Sequence, residues 1–247
     1  MPKIIATAII KGGTGKTTTA AALAQAAAQK KKHVLAIDLD PQGNLSDFLD
    51  GSTETPGSYD LLHGTAARDV IQKTAQGIDV ITASPDLSTE KTSGGSAKRL
   101  EKAIEPIKGS YDFIIIDTPP SMGELTFNAL QAAGGLLIPL DADAPSVKGL
   151  YQIADIAGKI RQPGAGRFSP FAVIVTRYRA RANINRYLQG EIEKAAAAIG
   201  AAYYGEIRDG IAIREAQAMR KNLFDYAPSS NPAIDYMELF KKIQRGK

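Results

Sequence analysis

The sequence predicts one doubly wound α/β domain, a mostly parallel sheet flanked by helices, and three observations predict it. Short apolar runs alternate with helical patterns along the 247 residues. Those runs are almost continuously apolar, as strands covered on both faces are. A Gly-rich loop, "KGGTGKTT" (11–18), separates the first apolar run from the first helical stretch.

The first strand is expected at Ile4–Ile10, where the chain turns apolar almost at once, and the first helix at the Ala-rich Lys16–Gln29. Val34–Asp38 is a second apolar run, and Ile78–Ala83 a third. A helical pattern spans Ala97–Ile107, followed by the apolar strand Phe113–Asp117 and a helix at Glu124–Ala133. Leu136–Leu140, a helix at Val147–Arg161 and the strand Phe171–Thr176 continue the alternation. In Asn183–Ile199, Ile184, Leu188, Ile192 and Ile199 keep to one helical stripe, which should pack on the sheet. Gly51–Ser58 and "STEKTSGGSAKR" (88–99) read as loops, with a lid role open for either.

Composition narrows the chemistry. Hydrophobic residues at 44% and charged ones at 23% suit a globular domain, and no apolar run is long enough for a membrane span. With no secretory cleavage pattern, the chain reads as cytoplasmic. It has no cysteine and two histidines, which excludes disulfides, thiolate nucleophiles and zinc–thiolate or iron–sulfur sites. Any metal should be a hard ion held by oxygen, such as Mg²⁺. Residues 1–150 carry 14 Lys/Arg against 17 Asp/Glu, whereas residues 151–247 carry 16 against 9. That polarity points to an anionic partner for the C-terminal part, nucleic acid or membrane surface, or else to a solvated basic face.

Strand, Gly-rich loop, Lys-Thr and helix, in that order, form the context a phosphate site requires. Gly12, Gly13 and Gly15 let successive backbone N–H groups, Thr14 included, turn toward phosphate oxygens. The following helix adds the positive end of its dipole. Lys16 is placed for the β- and γ-phosphates of a nucleotide, and the Thr17 hydroxyl for Mg²⁺. Two strands end in acid: "VLAIDLDPQGN" (34–44) with Asp38 and Asp40, and "YDFIIIDTPPS" (111–121) with Asp117. Ligands in open α/β sheets bind at the carboxyl ends of strands, so the three can converge on the loop.

The usual phosphate-loop pattern is G-x-x-x-x-G-K-[ST], and this chain departs from it by placing Lys11 ahead of its glycines. "KGGTGKTT" resembles the deviant Walker A motif, K-G-G-x-G-K-[ST]-[ST], of the ParA/MinD family of ATPases, Thr18 matching its last position. "DLDPQGN" and "DTPP" are similar to the family's two switch segments. The resemblance implies a P-loop NTPase fold of the SIMIBI type over residues 1–247, without an N-terminal helix-turn-helix extension, with ATP and Mg²⁺ as cofactors. It implies that Lys16 serves its own nucleotide while Lys11 crosses a homodimer interface to the partner's nucleotide. By the same resemblance Asp38 helps organise the metal, Asp40 orients the attacking water and Asp117 is the Walker B carboxylate. A segment near the C-terminus reads adenine in the family; "IRDGIAIREA" (207–216) matches it loosely and makes Arg208 and Asp209 candidates.

Within the family the absent cysteines exclude the nitrogenase iron proteins, arsenite pumps and iron–sulfur carriers. Two main readings remain, and the resemblance favours a short partition ATPase, binding DNA without sequence preference in its ATP state and working with a ParB-like adaptor on plasmid, chromosome or other cargo. Arg177, Arg179, Arg181 and Arg186, with Arg220 and Lys221, are its candidate DNA contacts. A MinD-like membrane-associated ATPase is the alternative. Its evidence is "IDYMELFKKIQRGK", where Tyr236, Leu239, Phe240 and Ile243 form a stripe beside basic residues, as an interfacial helix or a core helix would. A metabolic P-loop ligase is the other alternative.

Overall fold

The computed structural model describes residues 1–90, 98–160, 168–169, 171–179 and 183–246, with only the backbone over 183–186. In chain order the elements are β1 (Lys3–Thr7), α1 (Lys16–Gln29), β2 (Val34–Asp38), α2 (Asn44–Phe48), α3 (Ser58–Leu62), α4 (Ala67–Val70), β3 (Gln72–Lys73) and β4 (Asp79–Ile81). They continue with α5 (Arg99–Ile104), β5 (Phe113–Asp117), α6 (Glu124–Ala132), β6 (Gly135–Leu140), α7 (Ala144–Ile160), β7 (Phe171–Tyr178) and α8 (Asn183–Ala198). The chain closes with β8 (Ala202–Arg208), α9 (Ile211–Ala218), α10 (Leu223–Tyr226) and α11 (Asn231–Arg245).

The eight strands form one sheet in the order β3-β4-β2-β5-β1-β6-β7-β8. Every pairing is parallel except β3 with β4. Continuous apolar strands follow from this arrangement, because both faces are covered. Phe113 and Ile115 enter a cluster with α1 and α11, while Ile114 and Ile116 enter the opposite one.

Alanine dominates α1 for a packing reason. Ala20, Ala21, Ala22, Ala24, Ala26 and Ala27 are all buried, so the helix is enclosed by the sheet, α2, α10 and α11, with no room for longer side chains. The terminal stripe belongs to the same layer. Tyr236, Leu239, Phe240 and Ile243 are each at most 2% exposed, and the Phe240 ring lies 5.2 Å from that of Phe113. Lys3 Nζ donates to the carbonyls of Ile243 and Gln244 at 2.7 and 2.8 Å, capping α11. The stripe is therefore core, and the interfacial-helix alternative loses its observation.

The sequence expectations hold for the central strands and differ at the margins. β1 stops at Thr7, because the chain leaves the sheet there to wrap the Gly-rich loop; Ala8 and Ile9 stay apolar because they remain buried. The strand β8 has no counterpart among the expected strands: it is an edge strand with register shifts against β7 and Gly205 at φ +107°. The 51–58 loop is anchored, since Ser58 N donates to Thr82 O at 2.8 Å. The second loop lies largely outside the described residues.

Candidate nucleotide site

The Gly-rich loop leaves the end of β1 and enters α1 over a cleft of about 440 Å³. Gly13 and Gly15 sit at φ +74° and +81°, the left-handed region glycine enters without a Cβ penalty. Gly15 caps α1, and Thr19 N donates to its carbonyl at 2.8 Å. Thr176, near the end of β7, holds the loop: its hydroxyl donates to Thr14 O at 2.9 Å and lies 3.1 Å from Leu140 O. Gly12, Gly13, Gly15, Lys16, Thr17 and Thr18 line the cleft.

Lys16 is 5% exposed, and its Nζ donates to Lys11 O at 3.1 Å. Burial holds its ammonium below the usual lysine range, against the opposing pull of Asp117 and Asp40. A buried cation that donates to a carbonyl, in a cleft lined by the Gly-rich loop at a helix N-terminus, fits an anionic ligand. The Thr14 hydroxyl is likewise buried without a hydrogen-bond partner among the described residues.

The carboxylates stand beside it because the sheet register puts them there. Thr7, Asp117 and Asp38 are matched across β1, β5 and β2, at the ends of the three strands. Asp38 is wholly buried; it accepts from Ser46 N at 2.9 Å, Ser46 Oγ at 2.8 Å and Asp40 N at 3.1 Å. It thereby shapes the 40–46 turn that carries Asp40 into the cleft lining. Asp117 accepts from Thr7 Oγ1 at 3.0 Å, while its Oδ2 is buried without a hydrogen-bond partner among the described residues. Burial raises the Asp38 carboxyl to about 6. Burial, then the Asp38 charge, raises Asp117 well above the usual carboxylate range, against hydrogen bonds from Thr17 and Thr7 and the Lys16 charge. An orphaned carboxylate oxygen beside a second buried carboxylate fits a divalent cation. Among the described residues no three acidic or imidazole groups form a cage by themselves. The donor set is that of an ion that keeps waters and takes ligand oxygens, as Mg²⁺ does.

Lys11 points elsewhere. Its ammonium pairs with Asp143, lies 3.5 Å from Asp141 and reaches Ser146 Oγ at 3.3 Å. It does not line the cleft that Lys16 fills. Burial pushes the Asp143 carboxyl up, but the bonds from Lys11 and Ser146 outweigh it and hold the group below the usual range.

The remaining candidates are placed but engaged. Arg208 and Asp209 both line the far wall of the cleft. The Arg208 guanidinium grips Asp235 at 2.7 and 2.9 Å, and Asp209 takes Arg179 at 2.6 and 2.9 Å. Arg177 forks onto Asp141, which raises its pKa further. Arg220 meets Asp47 at 2.5 Å and Asp50 at 3.7 Å, while Lys221 is exposed nearby. Arg181 and the Arg186 side chain lie outside the described residues. The basic run is thus interleaved with acids that sequence reading did not pair with it. Sequence reading also missed Ser46 and Thr176, whose partners are far along the chain, and Gln217, whose amide donates to Thr18 Oγ1 at 3.2 Å.

A glycine loop clasping a buried lysine at a helix N-terminus, next to two acid-tipped parallel strands, defines the class: a P-loop nucleotide-binding protein. The comparisons narrow it. A family model described as an AAA domain matches residues 2–166. The chain is 33% identical to the sporulation initiation inhibitor protein Soj of Bacillus subtilis, over 98% of each chain. It is 31% identical to the chromosome-partitioning ATPase Soj of Thermus thermophilus, over 97% of this chain and 94% of that one. Among solved structures, apo McdA from Cyanothece superposes with a TM-score of 0.87 at 24% identity, covering 100% and 99% of the two chains. Cobyrinic acid a,c-diamide synthase from Mycobacterium smegmatis, with bound ATP analog and magnesium, gives 0.82 at 25% identity, covering 99% and 95%. The chain belongs to the Soj/ParA family of P-loop ATPases.

Proposed function

We propose that the protein is a Mg²⁺- and ATP-dependent partition ATPase that dimerises over bound nucleotide, binds DNA without sequence preference in that state and is discharged by a ParB-like adaptor. The observation that carries the reading is the division of labour between the lysines. Lys16 fills its own cleft, while Lys11 sits at the rim, held by Asp143 and directed away from that cleft. A rim cation on a short, breakable ion pair is what an in-trans contact to a second copy's nucleotide needs.

The chain's residues then take these roles. The loop amides and Lys16 bind the phosphates, Arg208 and Asp209 flank the base end, and Gln217 braces Thr18. Thr17 and Asp117 would hold Mg²⁺, with Asp38 adding charge and fixing the turn. That ion supplies charge neutralisation on the phosphates. Asp40, at the cleft edge, orients water toward the terminal phosphate; positioning rather than strong basicity is what phosphoryl transfer requires.

Light scattering with ATP tests the reading. Wild type should dimerise, and Lys11→Ala should bind ATP yet stay monomeric; an ATP dimer of that variant would refute the in-trans role. A duplex of random sequence should bind only with ATP, and more weakly as salt rises. A second reading, an ATP-dependent metabolic ligase, is favoured by the diamide synthase likeness. It predicts ATP binding without dimerisation or DNA affinity.

A further inference from the structure

On the face of the sheet opposite α1 lies a charge cluster with two buried carboxylates, none of whose members lines the cleft. The Arg99 Nη2 pairs with Glu90 and, at 2.6 Å, with Glu124. The Glu90 and Glu124 side chains are only 7% and 5% exposed. His63 Nε2 approaches Glu90 at 3.3 Å, and the His63 ring lies 4.1 Å from that of Tyr59. Isolated buried ion pairs rarely repay their desolvation, so a cluster of this kind calls for a role beyond stability.

Its position supplies one, because both ends are tied to the cleft. Ser58, the first residue of α3, donates its hydroxyl to the Asp38 carbonyl and lies 2.9 Å from Thr82 O. His63 follows directly on α3. At the other end Glu124 begins α6, immediately after the 118–123 strap that leaves Asp117. The strap is pinned at both ends: Thr118 Oγ1 donates to Thr7 O at 2.8 Å, and Thr126 Oγ1 to Ser121 O at 2.7 Å. Between them Pro120 lines the cleft against Gly12. A second link fixes α5 on α6, with Leu100 N donating to Asn128 Oδ1 at 3.1 Å.

We infer that Arg99 is a positioning residue for the reaction: by bridging Glu90 and Glu124 it locks the Asp38 turn and the Asp117 strap into one unit. The inference rests on the ATPase reading. Without Arg99 the bridge between Glu90 and Glu124 is lost, and the two acid-bearing segments are no longer held in mutual register through it. Lysine can substitute in part, since both carboxylates meet the same guanidinium nitrogen.

The test is single-turnover ATP hydrolysis with nucleotide affinity measured in parallel on the full chain. Arg99→Met should lower kcat about 10- to 100-fold, the scale of a small misplacement at a reacting centre, with ATP affinity within about twofold. Arg99→Lys should recover most of the loss. Glu90→Gln, which severs the α3 side while leaving the Arg99–Glu124 pair neutral, should lower kcat severalfold, and it decides the matter if Arg99→Met does not fold. Wild-type kcat in Arg99→Met, or in Glu90→Gln where only that variant folds, overturns the inference. So does an equal loss of affinity and kcat that lysine fails to rescue. A wild-type protein with no ATP turnover refutes the ATPase reading instead.

Discussion

Replacing Asp117 with Asn should stabilise the protein in the absence of metal and nucleotide while removing its chemistry. Asp117 and Asp38 end paired strands in register and are both wholly buried. Burial, then the Asp38 charge, lifts the Asp117 carboxyl from 3.8 to about 7. Its folded pKa thus exceeds the unfolded one, so the folded chain holds the extra proton between about pH 4 and 7. The stability this group contributes is complete below pH 4 and is lost as pH rises through 7. At pH 8 the ionised carboxylate is destabilising, by about 1.4 kcal/mol for each tenfold change in its proton affinity on folding. Asparagine removes that cost, but its NH₂ group enters the place of an oxygen that has no partner, which returns about 1–3 kcal/mol. The variant should therefore gain stability at pH 8, and the gap should close toward pH 5. Urea melts of both proteins in EDTA at pH 5, 6.5 and 8 measure it, the difference between them cancelling other titrations. A less stable variant at pH 8, or a gap that stays constant with pH, refutes the reasoning.

Lys16→Ala should abolish nucleotide binding by calorimetry, because it removes the buried cation from the phosphate cradle; wild-type affinity would place the phosphates elsewhere. Asp40→Ala should bind ATP and accumulate as the ATP dimer, with turnover lower by about 100-fold, the scale of one lost transition-state contact. Retained turnover would mean that another group orients the water. Gly57→Ala should lower stability by about 3 kcal/mol or more, since its new Cβ would fall 2.1 Å from Thr82 O, a backbone atom that cannot yield. A melting temperature equal to wild type would show that the 51–58 loop is not packed as described.

Sequence reading reached the phosphate loop and the acid-tipped strands because each is a local statement: glycines, a lysine and a run of apolar residues ending in aspartate. It missed β8, where register shifts, Gly205 and half-exposed residues such as Tyr203 and Glu206 break the apolar signal. It could not see Thr176 bracing the loop, because that hydroxyl meets Thr14 across 162 residues of chain. For the same reason the arginines after β7 read as a free basic run. Their sign is written in the sequence, but Asp141 lies 36 positions before Arg177 and Asp209 lies 30 after Arg179. The terminal stripe left two readings open for a different reason: a core helix and an interfacial helix share one periodicity, and only the burial of Tyr236 and Phe240 separates them.

Those acids bear on the proposed cycle through their charge balance. Lys11 and Arg177 face Asp141 and Asp143, two cations against two anions. The Lys11–Asp143 side chains are 27% and 40% exposed, so water already screens much of their attraction, and such a pair is worth about 0.2–1 kcal/mol. A charge-assisted hydrogen bond from the same ammonium to a phosphate in a closed interface is worth about 1.5–3 kcal/mol. Since the contacts to Asp141 and Ser146 are given up as well, moving Lys11 to a partner's nucleotide would be close to balanced, and without nucleotide it would be unfavourable. In the proposed symmetric dimer two such transfers would add, so association would depend on both sites being filled. In the proposed cycle hydrolysis and phosphate release would remove the acceptor, and Asp143 would recapture the ammonium. Under the proposed cycle the weakness of this surface ion pair would be functional: a buried, stronger one would hold Lys11 against the nucleotide.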